Sequence, residues 1–191
     1  MAVFGAAGHT GRFVVAELQR RGITPIAVAR DGAKLGGLDL AQPGANRVAS
    51  IDDSASLDRA FADVAAVINC AGPFLDTADA IAAAALRAAA HYLDVTAEQA
   101  SAQATLESFD AAAREAGVIV MPAMGFYGGL GDLLVSVAMT GWNLADEILI
   151  AISLDSWHPM QAHAPPVRGT RLADLSSPMV ACRRFRGRLR K

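Results

Sequence analysis

The sequence is poor in cysteine, in aromatic residues and in long hydrophobic runs. Its 191 residues include 2 cysteines, and aromatic residues make up 6%. Cys70 and Cys182 alone do not provide a disulfide framework, and no signal-peptide pattern precedes the first predicted strand, so a reducing, cytoplasmic location is expected. No run of about eighteen apolar residues occurs, so no membrane span is predicted. The alanine-rich stretch 78–90 is interrupted by Asp79 and Arg87 and is predicted to be a buried or half-buried helix.

Charge is distributed unevenly along the chain. Residues 1–167 carry 18 acidic and 9 basic side chains, whereas residues 168–191 carry 8 basic side chains and one acid, Asp174. Arginines in such a segment can bind phosphates, which leaves a nucleic-acid partner open as an alternative. No folded nucleic-acid-binding module stands beside the segment. A solvated or disordered tail without a specific partner is therefore favoured, and nucleic acid is not the expected partner.

Short apolar runs alternate with longer amphipathic segments through the first 122 residues. Six runs are predicted strands, at residues 2–5, 25–29, 46–50, 65–70, 91–95 and 117–122. The segments between them are predicted helices, including 10–21, 77–90 and 98–116. This alternation predicts an α/β fold with a doubly wound parallel sheet. Because crossovers between parallel strands are right-handed, the favoured strand order is 3-2-1-4-5-6.

Three glycines, each three residues after the last, follow the first predicted strand. Gly5, Gly8 and Gly11 lie in "GAAGHTG", between that strand and the first helix. In such a loop the first glycine permits a sharp turn, the second lets the backbone approach a pyrophosphate, and the third lets the helix pack closely against the strand. The strand and helix around the motif favour a dinucleotide-binding Rossmann site over a simple tight turn.

Charged residues at the end of the second predicted strand indicate which dinucleotide is bound. An acid at this position is typical of NAD sites, and a nearby Arg is typical of NADP sites. Arg30 can form a bidentate contact with a 2′-phosphate, and Lys34 can add a second positive charge. Asp31 can bind a ribose or cap the following helix, and we interpret it as the cap. NADP is therefore favoured over NAD.

The segment after the fourth predicted strand lies next to the glycine loop across the topological switch point. We expect residues 69–73 to line the cofactor crevice with their backbone and with the Asn69 amide. Cys70 lies between apolar neighbours, and no histidine is marked as its base. An inert buried thiol is therefore favoured over a nucleophile.

Polar residues also follow the fifth predicted strand, at the same edge of the sheet. They include Asp94, Thr96 and Glu98. Thr96 and Gln99 have the spacing of a capping box, so a helix cap and a ligand site are both open for this cluster. His91 opens the strand at its far end, where a structural role is expected.

The stretch 122–131 is predicted to be a flexible, glycine-rich loop at the ligand edge. Its Tyr127 is a weak candidate for catalysis, because it can stack on nicotinamide or donate a proton, but packing at a domain junction is the simpler interpretation. The Tyr-x-x-x-Lys pattern of short-chain dehydrogenases is absent. The four histidines lack metal-ligand spacing, so no metal site is predicted.

A second domain is predicted to begin after a further helix at 130–139. Residues 147–157 alternate, with Ile148, Ile150 and Ile152 on one face, which indicates a strand buried on one side. The predicted domains are therefore a dinucleotide-binding domain at 1–145 and the beginning of a truncated second α/β domain at 146–191. The second segment is too short to form a sizeable antiparallel substrate domain.

Four stretches together resemble one family. "FGAAGHTGR", "INCAGPF", "HYLDVTAEQ" and "GVIVMPAMGF" followed by "GDLL" are similar to the NADP-binding domain of saccharopine-dehydrogenase-like oxidoreductases, a group that includes trans-acting enoyl reductases of lipid biosynthesis. The resemblance covers about residues 1–155. It implies NAD(P)H-dependent reduction by a Rossmann domain followed by an antiparallel α/β substrate domain. The cofactor-binding residues expected from the motifs and the resemblance are Gly5, Ala7, Gly8, His9, Thr10, Gly11, Arg30, Asp31, Lys34, Asn69, Cys70, Ala71, Gly72 and Pro73.

The chain departs from that family in two places. "GFYGGLGD" replaces a more polar loop, which leaves the catalytic residues unassigned. Family members also continue well past this length, whereas residues 160–191 lose the rhythm of strands and helices. The hypothesis for this segment is a truncated or frame-shifted terminus with a basic, non-native tail.

Two functions from different classes follow. The first is an NADP-dependent oxidoreductase that transfers a hydride to or from a small-molecule or acyl substrate, which an incomplete substrate domain would leave inactive. The second is a non-catalytic NAD(P)-binding module for redox sensing or regulation. A missing substrate domain would also expose apolar surface and favour a homo-oligomer.

Overall fold

The computed structural model describes residues 1–40, 45–142, 144–154 and 179–190. Its strands are β1 (Ala2–Phe4), β2 (Ile26–Ala29), β3 (Asn46–Val48), β4 (Ala66–Asn69), β5 (His91–Asp94), β6 (Val120–Met121), β7 (Leu144–Leu154) and β8 (Met179–Arg190). Its helices are α1 (His9–Arg20), α2 (Gly32–Leu35), α3 (Ser54–Phe61), α4 (Phe74–Arg87), α5 (Gln99–Ala116) and α6 (Gly131–Ala138), with a π-helical turn at Phe126–Leu130. Within these residues, no helix combines the length and the apolar character needed to cross a bilayer.

The first six strands form one parallel sheet in the order β3-β2-β1-β4-β5-β6. β1 lies at its centre and pairs in parallel with both β2 and β4, so that Val3 faces Ala27 on one side and Ile68 on the other. The chain therefore adds β2 and β3 on one side of β1, and then returns to add β4, β5 and β6 on the other side. The predicted doubly wound α/β fold and its strand order are confirmed, and the carboxyl ends of all six strands meet at one edge.

The core lies on both faces of this sheet, because successive strand residues point to opposite sides. Ala2 and Phe4 belong to a larger cluster formed with α3 and α4, in which Phe61 packs edge-on against Phe4 with 6.5 Å between ring centroids. Val3 belongs to a second cluster with Val15 and other residues of α1 and α2. Residues buried on both faces explain why the central strands are continuous apolar runs.

α4 packs against the sheet through a face made mostly of alanine. Its buried residues are Thr77, Ala78, Ile81, Ala82, Ala84 and Ala85. Such short side chains let the helix approach the strands closely, since few atoms separate the two backbones. The alanine-rich stretch predicted at 78–90 is thus a half-buried helix as far as Arg87, and its last three residues lie beyond the helix end.

Two helices are capped by a carboxylate that lies directly before them in the sequence. Asp31 accepts a hydrogen bond from the Ala33 N–H at 3.0 Å and caps α2, and Asp53 accepts one from the Ser56 N–H at 3.1 Å and caps α3. Each carboxylate satisfies an N–H group that the helix leaves without a partner. Asp31 therefore serves as the cap that we inferred.

Two other helix starts differ from the expectation. α4 begins at Phe74, three residues before the predicted Thr77, and α5 takes Glu98 rather than Thr96 as its N-cap. The Thr96 hydroxyl instead accepts a hydrogen bond from the Glu98 N–H at 2.9 Å, inside the turn before the helix. The Thr96 to Gln99 capping box is therefore wrong. The stretch predicted as a loop after β6 also contains the π-helical turn at Phe126–Leu130.

The chain divides into two compact units, at residues 1–130 and 131–191. The first holds the parallel sheet. The second, described here by itself, contains α6 and an antiparallel pair in which Ile148 lies opposite Phe185 and Leu154 lies opposite Met179. Residues 179–190, within the segment predicted to be a solvated or disordered tail, form β8.

Candidate functional site

The glycine loop between β1 and α1 is closely packed at two of its three glycines. Gly5 has a φ of +78°, and a Cβ there would lie 3.0 Å from the backbone nitrogen of Ala71. A Cβ on Gly11 would lie 2.7 Å from the Cα of Ala6, inside the loop backbone itself. Side chains at these positions would therefore separate the loop from its neighbours. The loops after β1 and β4 are in direct contact at the switch point.

The N-terminus of α1 has no side-chain cap. Gly8 is its N-cap residue, and the first turn contains no acidic residue. The Gly8 N–H donates to the Gly5 oxygen at 2.9 Å, which closes the turn before the helix. The N–H groups of the first helical turn have no partner within the helix, and the helix dipole adds partial positive charge there. This end of α1 can hold an anion such as a pyrophosphate.

His9 and Thr10 start α1 and are exposed. The His9 ring makes an edge-to-face contact with Phe13 one turn later, with 5.1 Å between centroids. The imidazole therefore lies beside the open helix end.

Arg30 and Lys34 lie at the carboxyl end of β2 and on α2. Both are exposed, and within the described residues neither forms an ion pair with a carboxylate. Since the Asp31 carboxylate is engaged by the helix that it caps, it leaves the guanidinium and ammonium groups available to an anion. The residues needed to bind a 2′-phosphate are therefore present at this edge of the sheet.

Asn69, at the end of β4, is fully buried rather than exposed in the crevice. Its Oδ1 accepts a hydrogen bond from the Ala71 N–H at 3.0 Å, and its Nδ2 donates to the Thr77 hydroxyl at 3.3 Å. The Thr77 hydroxyl donates in turn to the Ala71 carbonyl at 2.6 Å. The amide thus shapes the loop at residues 70–73 from behind, and only the loop faces outward.

The Asp94 carboxylate, at the end of β5, is also fully buried. Its Oδ2 accepts a hydrogen bond from the Tyr92 hydroxyl at 2.9 Å, and its Oδ1 accepts from the N–H groups of Thr96 at 3.0 Å and Ala123 at 2.9 Å. The Asp94 carbonyl accepts from Met124 at 2.7 Å. Asp94 therefore ties β5 to the segment after β6, where Ala123 has a φ of +62°.

Glu98 binds the start of a helix that is not its own. Its two carboxylate oxygens accept hydrogen bonds from the N–H groups of Phe74 and Leu75, both at 2.9 Å. These are the first two residues of α4, so the carboxylate closes that helix end as a side-chain cap from another loop. The N-termini of α1 and α4 are therefore different: the first is open and the second is occupied.

Buried groups near the switch point are held in their protonated forms. Burial raises the pKa of the Cys70 thiol from 9.0 to about 12, with a further contribution from the negative charge of Asp94. Burial, followed by the same charge, also raises the pKa of the Tyr92 phenol. A thiol with such a pKa is not a thiolate at neutral pH, so Cys70 does not provide a nucleophile.

Sequence reasoning missed the roles of Tyr92 and Thr77 and the cap that Glu98 provides. A signal for Tyr92 was present, because residues two apart on a strand share a face and Tyr92 precedes Asp94 by two. The side chain of Tyr127, the weak catalytic candidate, lies outside what the structure describes. No group of three or more potential metal ligands occurs among the residues described.

A doubly wound sheet, a glycine loop and an open helix N-terminus at its switch point define a dinucleotide-binding Rossmann domain. Residues 1–121 match the family model described as the Saccharopine dehydrogenase NADP binding domain. The chain belongs to this family, and its cofactor is NADP.

Two curated relatives support this assignment. The saccharopine dehydrogenase-like oxidoreductases of Bos taurus and Mus musculus are each 27% identical over 175 residues, which cover 80% of this chain. The match spans 41% of either relative's length. Among solved structures, apo saccharopine dehydrogenase from Saccharomyces cerevisiae matches with a TM-score of 0.59 at 19% identity, over 78% of this chain and 34% of that one. This last likeness concerns the fold.

Proposed function

We propose that this chain is the cofactor-binding part of an NADP-dependent oxidoreductase. The observation that carries the proposal is the open N-terminus of α1 behind the glycine loop, with exposed Arg30 and Lys34 on the neighbouring strand end and helix. When bound, NADPH supplies a hydride to a small-molecule or acyl substrate, or NADP⁺ accepts one.

Each part of the predicted cofactor set has its own task. Because Gly5, Gly8 and Gly11 have no side chains, the pyrophosphate can approach the loop closely. It then reaches the first N–H groups of α1, which are those of His9 and Thr10. Ala7 lies in the same loop. Arg30 and Lys34 bind the 2′-phosphate, with Asp31 holding the start of α2 between them. The loop at residues 70–73 forms the opposite wall of the crevice, positioned by Asn69 and Thr77.

A non-catalytic, redox-sensing module is the second candidate, and a specific observation favours it. In the described part of the first unit, the acid and phenol at the end of β5 are fully buried, and the Glu98 carboxylate is engaged by two N–H groups. The thiol of Cys70 is held protonated. None of these groups is therefore available as a proton donor for turnover.

The test is titration of the full chain with NADPH and NADH by calorimetry, in wild type and in Arg30→Ala. Loss of a charge-assisted bidentate contact with the 2′-phosphate should weaken NADPH binding about tenfold to a hundredfold and leave NADH nearly unchanged. Arg20→Ala is the matched control, because Arg20 is on the last turn of α1 and pairs with Glu17. Equal losses for both cofactors would reject the 2′-phosphate assignment.

Hydride-transfer assays then separate the two candidates. Oxidation of NADPH by enoyl thioesters or imino acids supports the oxidoreductase, whereas tight NADPH binding without turnover supports the sensor. A cytoplasmic location, a homo-oligomeric state and the lack of a nucleic-acid partner stay predictions.

A further inference from the structure

The two halves of the crevice carry charge of opposite sign. The loops after β1 and β2 and the helix starts that follow them contain Arg12, Arg30 and Lys34 with a single acid, Asp31, and no side chain caps α1. By contrast, residues 69–76, 94–101 and 121–130, which follow β4, β5 and β6, contain no Lys, Arg or His. Their acids are Asp76, Asp94 and Glu98, of which Asp94 is fully buried. A group bound over this second half therefore lies near negative charge that no cation of the same segments balances.

Glu98 is the carboxylate best placed to act there. It is half-buried, and its oxygens lie 2.9 Å from the first two N–H nitrogens of α4, at the carboxyl ends of β4 and β5. A full negative charge on this helix end exceeds the partial positive charge of the helix dipole, which is equivalent to about half a charge. The start of α4 is therefore net negative, although an uncapped helix start would be positive.

The buried Asp94 carboxylate adds negative charge at the end of β5. Burial first, and this charge second, raise the pKa of the Cys70 thiol, which lies in the loop that forms the crevice wall. Asp94 has no cationic partner within the described residues, since its three side-chain contacts are a phenol and two backbone N–H groups.

The oxidised and reduced forms of the dinucleotide differ in charge at the nicotinamide ring. A Rossmann site binds the two halves of a dinucleotide over the two halves of its sheet. With the 2′-phosphate assigned to Arg30, the nicotinamide lies over the β4 to β6 half. The oxidised ring of NADP⁺ has one positive charge, and it becomes neutral on taking up a hydride, which carries two electrons and a proton.

We propose that Glu98, supported by Asp94, makes this chain bind NADP⁺ more tightly than NADPH. The inference rests on the proposed cofactor site. Glu98 is a specificity-determining residue in this account, acting on the charge of the ring. We expect a preference of about fivefold, a size suited to one partly exposed charge acting on another near a protein surface. A fivefold ratio lowers the reduction potential of the bound couple by about 20 mV, which makes bound NADPH the stronger reductant.

The test compares dissociation constants for NADP⁺ and NADPH by calorimetry on the full chain, in wild type and in Glu98→Gln. Gln keeps one oxygen for the start of α4 but removes the charge, so the preference for NADP⁺ should fall most of the way toward unity, and the remainder is due to Asp94. Asp79→Asn is the matched control, because Asp79 is an exposed acid in the second turn of α4, farther along the helix than the residues that Glu98 caps. That control should keep the wild-type ratio.

Adenosine 2′,5′-bisphosphate lacks the nicotinamide and reports on the other half of the site. Its affinity should be the same in wild type and Glu98→Gln, and a loss there would mean that the variant has damaged the fold. In that event the wild-type protein alone tests the inference. Raising the salt concentration should move its ratio of NADP⁺ to NADPH affinity toward unity, because the preference is electrostatic.

The outcomes separate the inference from the function on which it rests. If neither dinucleotide binds, the proposed cofactor site is wrong. If both bind, the inference is overturned by equal affinities, by tighter NADPH binding, by a ratio that ignores salt, or by an equal change in Asp79→Asn.

Discussion

Replacing Asp94 with alanine should remove a large part of the stability of the first unit. The carboxylate is 0% exposed and accepts three hydrogen bonds, from the Tyr92 hydroxyl and from the N–H groups of Thr96 and Ala123. Each donor left without a partner inside the protein costs about 1–3 kcal/mol. Ala123, released from its anchor, can also leave its left-handed conformation, which offsets about 1 kcal/mol of the loss.

The expected decrease in the free energy of unfolding is therefore about 2–8 kcal/mol, with about 5 kcal/mol as the central value. A typical domain has about 5–15 kcal/mol in total, so Asp94→Ala should be close to unfolded at 37 °C. Asp94→Asn should lose about half as much, because its oxygen can still accept the two N–H bonds while its amide meets the Tyr92 hydroxyl. The measurement is urea unfolding followed by far-ultraviolet circular dichroism, with exposed Asp79→Ala as the control.

The reasoning would be refuted if Asp94→Ala unfolded within about 1 kcal/mol of wild type with an unchanged dependence on urea. Amide hydrogen exchange gives a local check, since the Thr96 and Ala123 N–H groups should lose protection before the rest of the sheet. Uniform loss of protection would mean that the buried carboxylate does not anchor the segment after β6.

Two further perturbations follow from the same geometry. Gly11→Ala places a Cβ against the loop backbone, so we expect a loss of about 1–3 kcal/mol in the free energy of unfolding and weaker NADPH binding. Thermal melts and NADPH titration measure the two effects. The control is Gly37→Ala, where a Cβ meets nothing within 4 Å, and it should behave as wild type. The folded-state pKa of Cys70 is about 12, above its ordinary value of 9.0, so its contribution to stability is complete below pH 9 and is lost as pH rises toward 12. Between pH 9 and 10 this loss is about 1 kcal/mol, and Cys70→Ser should reduce the slope; a slope unchanged by the substitution would contradict the assignment.

The parallel sheet and the glycine loop were predictable because their signals are local. Each central strand is a short apolar run, and the spacing of Gly5, Gly8 and Gly11 is explained by contacts with residues close in sequence or at the adjacent strand end. The caps at Asp31 and Asp53 involve partners two and three residues away. Patterns of this range can be read directly from the order of residues.

The start of α4 was not predictable in this way. Pro73 and the two residues after it contain no side chain that caps the helix, so the first clear helical signal came at Thr77. The cap is supplied by Glu98, which is 24 residues from Phe74. Only the pairing of β4 with β5 brings the two together, and a single sequence does not reveal which loop supplies a missing cap.

The basic segment shows a similar limit. Eight basic side chains beyond residue 167 indicated a solvated tail, and a strand there depends on a partner more than twenty residues earlier. The buried state of Asn69 was also hidden, because an amide at the end of a strand can face a ligand or turn inward. The choice depends on Thr77 and Tyr92, which occupy the inner side.

The alanine face of α4 determines how the first unit tolerates substitution. Most buried positions on this helix already carry the smallest side chain that maintains a helix, so little can be removed from them. Almost any replacement there adds volume against the sheet, in a core that has no room to expand. The buried face of this helix, next to the cofactor crevice, is therefore constrained only against larger side chains. Across a family of variants we expect these buried side chains to stay small even where the residues themselves change.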